Sequence, residues 1–132
     1  MARYVIGPDV ALALAERQAA IPKAHRLLAP TLLRSQVLTQ LYADARTGRL
    51  TKGEANQRLD YLRKLQIRLL GDRSLQQVAW RTAEALGWAD TFVAEYVALT
   101  KLQGDALVLQ DAELAKVVRS QVATATLDEL LA

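Results

Sequence analysis

Cysteine is absent from all 132 residues, which excludes a disulfide scaffold, a thiol nucleophile and every zinc motif built on cysteine, and lends no support to an oxidising compartment. Histidine is almost absent as well. His25 stands alone between Pro22 and Leu27, so clustered-histidine chemistry is excluded and the residue itself reads as part of a polar surface linker. No run reaches the roughly 18 consecutive apolar residues of a membrane span. The start MARYVIGPDV lacks the apolar core of a signal peptide, so a cytoplasmic location is expected. Low-complexity tracts, internal repeats, long linkers and DNA-readout motifs are all missing. What is present is an ordinary globular composition, 52% hydrophobic and 23% charged, of a length that suits one domain over residues 1–132. Lys and Arg number 17 against 14 Asp and Glu, a charge of +3 that suits a polyanionic partner without requiring one.

The order of elements carries more. Arg3-Tyr4-Val5-Ile6 is a β-prone run ended by Gly7-Pro8, with Asp9 placed to cap a helix over 10–17. Pro30-Thr31 opens a long amphipathic helix with Leu33, Val37, Leu38 and Leu41 on one face, closed by Gly48. Thr51 with Glu54 three residues on forms a capping box, so a second helix bearing Ala55, Leu59, Leu62 and Leu65 completes a hairpin. Strand-then-helix units recur at 66–70 followed by a helix to Gly87, and at 106–109 followed by a helix from Asp111; a further helix begins at Asp90, and 122–125 offers a last strand. Such alternation predicts an α/β fold, a mainly parallel sheet of four or five strands flanked by helices.

In open parallel sheets ligands bind beyond the carboxyl ends of the strands, which singles out Gly7-Pro8-Asp9, Gly71-Asp72, Gln110-Asp111 and Thr126. Asp9 and Asp111 are placed to hold a hard divalent cation through one or two acids plus water. Both are also natural helix N-caps, and the two roles are compatible. Arg3, Lys23, Arg26, Arg34, Arg46 and Arg49 would attract phosphate if the fold gathered them, although a dispersed surface is the simpler reading. Trp80, Trp88, Phe92 and Tyr96 fall on helical faces and suit core or interface better than base stacking.

Three segments, YVIGPDVALALA, LLAPTLLRSQVLTQLYADARTGRLT and AEALGWADTFVAEYVALTKLQGDALVLQDAELA, together resemble the PIN domain, and within it the VapC-type toxins of bacterial toxin–antitoxin pairs. The resemblance runs over nearly the whole chain and implies a compact α/β domain, Mg²⁺- or Mn²⁺-dependent endoribonuclease activity, and a small protein antitoxin as partner. The family pattern places an Asp at the end of the first strand, where this chain has Gly7, a Glu in the long second helix, where it has Gln36, and an Asp early in the helix DTFVAEYVALT, where it has Val93. The fourth acid is present as Asp111. The hydroxyl residue that usually stands two positions after the first acid is replaced by Asp9, and the Thr two before the last acid by Leu109.

Those replacements leave two expectations. Asp9, two residues past Gly7 on the same turn, and Asp90, one helical turn before Val93, could rebuild a metal cluster with Asp111, with Gln36 as a neutral ligand, giving a Mg²⁺ or Mn²⁺ ribonuclease with catalytic residues Asp111, Asp9, Asp90 and Gln36. Asp90 is otherwise an N-cap or first-turn acid. The alternative is a PIN-like domain without hydrolysis that acts by binding RNA or a protein such as an antitoxin. The apolar faces carrying Leu33, Leu38, Leu41, Leu59 and Leu62 exceed what a small sheet must cover, so a partner surface and a homodimer are expected on that hairpin.

Overall fold

The computed structural model describes residues 2–132, and among them five strands and seven helices alternate. Strand β1 (Ala2–Ile6) runs into helix α1 (Pro8–Arg17), strand β2 (His25–Pro30) into the hairpin of α2 (Leu32–Arg46) and α3 (Lys52–Lys64), and strand β3 (Ile67–Leu70) into α4 (Arg73–Leu86) and α5 (Phe92–Gln103). The chain ends with β4 (Ala106–Val108), α6 (Ala112–Val118), β5 (Thr124–Ala125) and α7 (Leu127–Leu131). All four strand pairings are parallel, in the order β3-β2-β1-β4-β5.

That order fixes the layers. The chain first moves outward from β1 to β2 and β3, then returns past β1 to β4 and β5. With right-handed crossovers, reversing direction sends the later helices to the opposite face. Accordingly α1, α2 and α3 pack together, while α5 lies against β1, β2 and β4 and carries α4 on its flank. The core between these layers is aliphatic: Val5, Ile6, Val10, Leu14, Val97, Leu107 and Val108 are almost wholly withdrawn from water. Gly104, between α5 and β4, stands where a Cβ would come within 2.8 Å of Val5 Cγ2, so α5 can approach the sheet this closely only because no side chain intervenes.

Local chemistry explains the boundaries. Thr51 and Glu54 form the expected capping box, Gly87 ends α4 in the left-handed region at φ 68°, and Thr126 with Glu129 caps α7 in the same reciprocal way. The strand β2 departs from expectation. The segment HRLLAP is a central strand where a linker and the start of a helix are predicted, because Leu27, Leu28 and Ala29 are buried between β1 and β3 and Pro30, at the strand end, lacks only one ladder donor. His25 accordingly is a strand residue, half-buried, with its ring edge-on to Tyr4 at a centroid distance of 5.0 Å. Helix α2 starts at Leu32 and α5 at Phe92, each one to two residues later than the sequence suggests. Of the expected partner face, Leu33 and Leu41 are buried inside the fold, Leu59 and Leu62 are half-buried and Leu38 stays exposed at 54%; Tyr42, one turn further along α2 and outside the expected set, is 65% exposed. No helix among the described residues is long and apolar enough to cross a membrane.

Candidate functional site

Reversal of strand order between β1 and β4 opens a crevice at their carboxyl ends, the place where parallel sheets bind ligands. Val108 of β4 pairs with Ile6 of β1, so the residues that follow each strand meet here. On one side are Gly7, Pro8 and Asp9; on the other are Leu109, Gln110 and Asp111.

Gly7, not Asp9, is the N-cap of α1, with Pro8 in the first helical position and Asp9 in the first turn. The Asp9 carboxyl reaches solvent at its tip but lies against the strand ends, and this partial withdrawal from water raises its pKa above the ordinary 3.8. The negative charge of Asp111 pushes in the same direction, while hydrogen bonds from the backbone near Val10 and Gln110 pull the other way. The two acids are therefore neighbours that feel each other. Asp111 also does the structural work expected of it: Oδ1 accepts from the N–H groups of Glu113 at 2.9 Å and Leu114 at 3.2 Å, capping α6.

Gln36 projects from α2 toward α5, where the hydroxyl of Tyr96 donates to its Oε1 at 2.5 Å. Tyr96 is buried, and burial together with the charges of Glu95 and Asp9 holds its hydroxyl protonated far into the alkaline range. The neutral oxygen that Gln36 would offer a cation is thus already engaged. Sequence reasoning assigned Tyr96 to the core and missed this polar end; its position three residues after Val93, on the same face of α5, was the available signal. Glu95, left unplaced by the sequence, is half-buried, and burial raises its pKa.

The expected three-acid cluster does not form. Asp90 turns back on its own segment, where Oδ1 accepts from the Phe92 N–H at 3.1 Å just ahead of α5. Among the described residues, no group of three or more His, Asp or Glu side chains stands close enough to hold a metal ion. Gly7 offers no donor, Val93 offers none, and Asp9 and Asp111 remain as a pair. Two acids fall short of the four-carboxylate cluster that the family resemblance implies for acting on a phosphate.

The Asp9–Asp111 coupling has a measurable consequence. An acid whose folded-state pKa is raised binds its proton more tightly in the folded protein, so the stability it contributes is fully present below 3.8 and is lost as pH rises through the folded-state value. The expected result is an Asp9 carboxyl carbon that titrates above 3.8 by NMR and moves downward in an Asp111→Asn variant. An Asp9 midpoint that stays in place in the Asp111→Asn variant would refute the coupling, and one at or below 3.8 in the unmodified protein would refute the burial.

No protein-family model and no curated protein matches this sequence. Solved structures do. The PAE2754 protein of Pyrobaculum aerophilum superposes with a TM-score of 0.77 at 25% identity, covering 98% of this chain and 93% of that one. VapBC2 of Rickettsia felis, solved bound to a DNA fragment from its promoter, superposes with a TM-score of 0.66 at 8% identity, covering 94% of this chain and 98% of the matched one. The chain has a PIN-like fold. Of the positions singled out by the family resemblance, Gly7 and Asp111 follow β1 and β4 at the crevice and Gln36 is tied to Tyr96 of α5, and Asp111 is the one acid among Gly7, Gln36, Val93 and Asp111.

Proposed function

We propose that this chain is a VapC-like member of a toxin–antitoxin pair that acts by binding a small protein partner of the antitoxin kind, metal-dependent RNA hydrolysis having been lost. One observation carries the second half of that reading. Of the four positions where the family resemblance asks for acids, one holds a carboxylate, one holds an amide tied to Tyr96, and two hold no ligand at all. Without clustered carboxylates there is nothing to concentrate divalent charge at a scissile phosphate. The partner half is supported by the fold and by Leu38 and Tyr42, four residues apart on one face of α2 and both exposed. Such a pair is a natural anchor for an apolar helix or strand of a partner. Self-association into a homodimer through the same hairpin belongs to this proposal and is read by sedimentation equilibrium.

A second reading has its own support. Asp111 lies close enough for its charge to help raise the pKa of Asp9, and Mg²⁺ is often bound through one or two carboxylates with water completing its shell. The test separates the two. RNA is incubated with the purified protein and with Asp111→Asn, each with Mg²⁺ and with Mn²⁺. No cleavage by either is expected; cleavage that needs the metal and disappears in the variant would establish the two-carboxylate nuclease instead. For the partner, co-expression with a candidate antitoxin should yield a complex that Leu38→Asp with Tyr42→Asp dissolves. A complex indifferent to both substitutions would move the docking surface elsewhere.

A further inference from the structure

The opposite end of the sheet carries a feature that the acidic crevice does not explain. Arg3 on β1 is in direct register with Arg26 on β2, and Arg68 on β3 is in register with Leu28, two residues beyond Arg26. Paired residues of parallel neighbours share a face, and so do residues two apart on one strand. Arg3, Arg26 and Arg68 therefore line one face of three adjacent strands. Lys23 and Lys64, each just ahead of its strand, extend this row, and all five border an open groove of about 1330 Å³ at the amino ends of the strands. No carboxylate lines it.

These cations are uncompensated. None of the five takes part in a salt bridge among the described residues; the ion pairs formed are Arg49 with Asp44, Arg63 with Asp60, and Lys116 with Glu113. Asp105 stands nearby, but its Oδ2 accepts from the Arg3 backbone N–H at 2.7 Å, while the Arg3 guanidinium donates to the Gln103 carbonyl at 3.4 Å. Strand neighbours lie about 4.8 Å apart, and like charges side by side on them oppose folding. A fold that keeps Arg3 beside Arg26 with no acid between them is matched to an anionic ligand. The groove is too large and too open for one phosphate, and its walls mix the cations with the half-buried Ile21, Pro22, Leu65 and His25.

We infer that this groove binds the phosphodiester backbone of a single-stranded nucleic acid, at a site separate from the carboxyl-end crevice. Phosphates would lie along the cation row, and the apolar and imidazole surfaces would receive bases, the combination by which single strands are held without sequence preference. A duplex presents no unstacked bases to such walls. The inference does not depend on the fate of the acidic site or on a protein partner.

The test is fluorescence anisotropy with labelled 12-nucleotide RNA and DNA of one sequence, in EDTA, over a range of NaCl concentrations. Binding should weaken steeply with salt. Arg26→Gln with Arg68→Gln should weaken it at least about tenfold and reduce the log–log salt slope by about 1.4, at roughly 0.7 per lost phosphate contact on a single strand. Lys23→Gln with Lys64→Gln, in segments outside the strands, should act in the same direction and guards against a folding defect in the first pair. Arg73→Gln with Arg81→Gln on α4 removes equal charge elsewhere and should leave binding within about twofold. Equal affinity for RNA and DNA would assign recognition to the phosphodiester alone, and preference for RNA would add the 2′-hydroxyl. The inference is overturned if neither strand binds, if the α4 pair costs as much as the groove pairs, if a duplex binds as tightly, or if pyrophosphate or polyglutamate displaces the strand at matched charge.

Discussion

A variant carrying Gly7→Asp, Asp9→Ser, Gln36→Glu and Val93→Asp is expected to bind Mg²⁺ where the unmodified chain binds none detectably. Each substitution has a local warrant. Gly7 is extended, with φ −92° and ψ −179°, a conformation open to any residue, but a Cβ there would lie 3.3 Å from Asp9 Oδ1. Asp9 must therefore shorten when an acid is installed beside it. Gln36→Glu keeps the side-chain shape and would receive the Tyr96 hydroxyl as a donor to a carboxylate. Val93 lies in the first turn of α5, where a negative charge is favoured by the helix dipole. Together with Asp111 these restore the four acids that the family resemblance implies. Their mutual repulsion should lower the thermal stability of the metal-free variant, and Mg²⁺ should restore it, by ~2.7 kcal/mol when its concentration is about a hundred times the dissociation constant. Calorimetry and melting with and without Mg²⁺ read both effects. Absence of binding would mean that these four positions do not converge, and the argument that loss of acids disabled the site would fail with it.

The largest expected loss of stability comes from Leu107→Ala. Leu107 is 1% exposed and sits in β4, in register with Val5 of β1 on one side and Thr124 of β5 on the other. Its removal leaves a cavity between the sheet and α5 that close-packed neighbours cannot fill, at ~2–5 kcal/mol. The melting temperature should fall by about 10 °C, and the urea midpoint should fall without a change in slope. A loss below about 1 kcal/mol would show that β4 is less tightly packed than its burial indicates. The effect bears on function because β4 carries Asp111 to the crevice: a looser strand should also weaken the Asp9–Asp111 coupling.

Comparison of individual elements shows what a linear reading could reach. Periodicity and capping chemistry are local, so the helices, the Thr51–Glu54 box, and the strands beginning near Tyr4, Ile67 and Ala106 were legible from residue order, and with them the α/β class. Strand β2 was not, because Leu27-Leu28-Ala29-Pro30 has neither helical nor alternating period and becomes a strand through burial on both faces. Gly7, Asp9 and Asp111 were legible from strand order, since the residues after parallel strands face one crevice, whereas Gln36 and Val93, which lie in helices, were singled out by the family resemblance alone.

Convergence was a different matter. Whether Asp9, Asp90 and Asp111 would gather depended on where side chains turn, and there short-range hydrogen bonds won: Asp90 accepts from Phe92, two residues away, and Asp111 from its own helix. The Tyr96 contact with Gln36 joins residues 60 apart, and the local pattern carries no more of it than the helical spacing from Val93 to Tyr96. Arg3, Lys23 and Arg26 read as scattered charge along the chain, yet parallel register sets Arg3, Arg26 and Arg68 on one face, and Lys23 and Lys64 border the same groove. Residue order thus settled the class of fold and the end of the sheet to inspect, because these follow from periodicity and chain direction. Which charges meet and which stay apart was settled by register and by competition for hydrogen bonds, both of which exist once the strands are side by side.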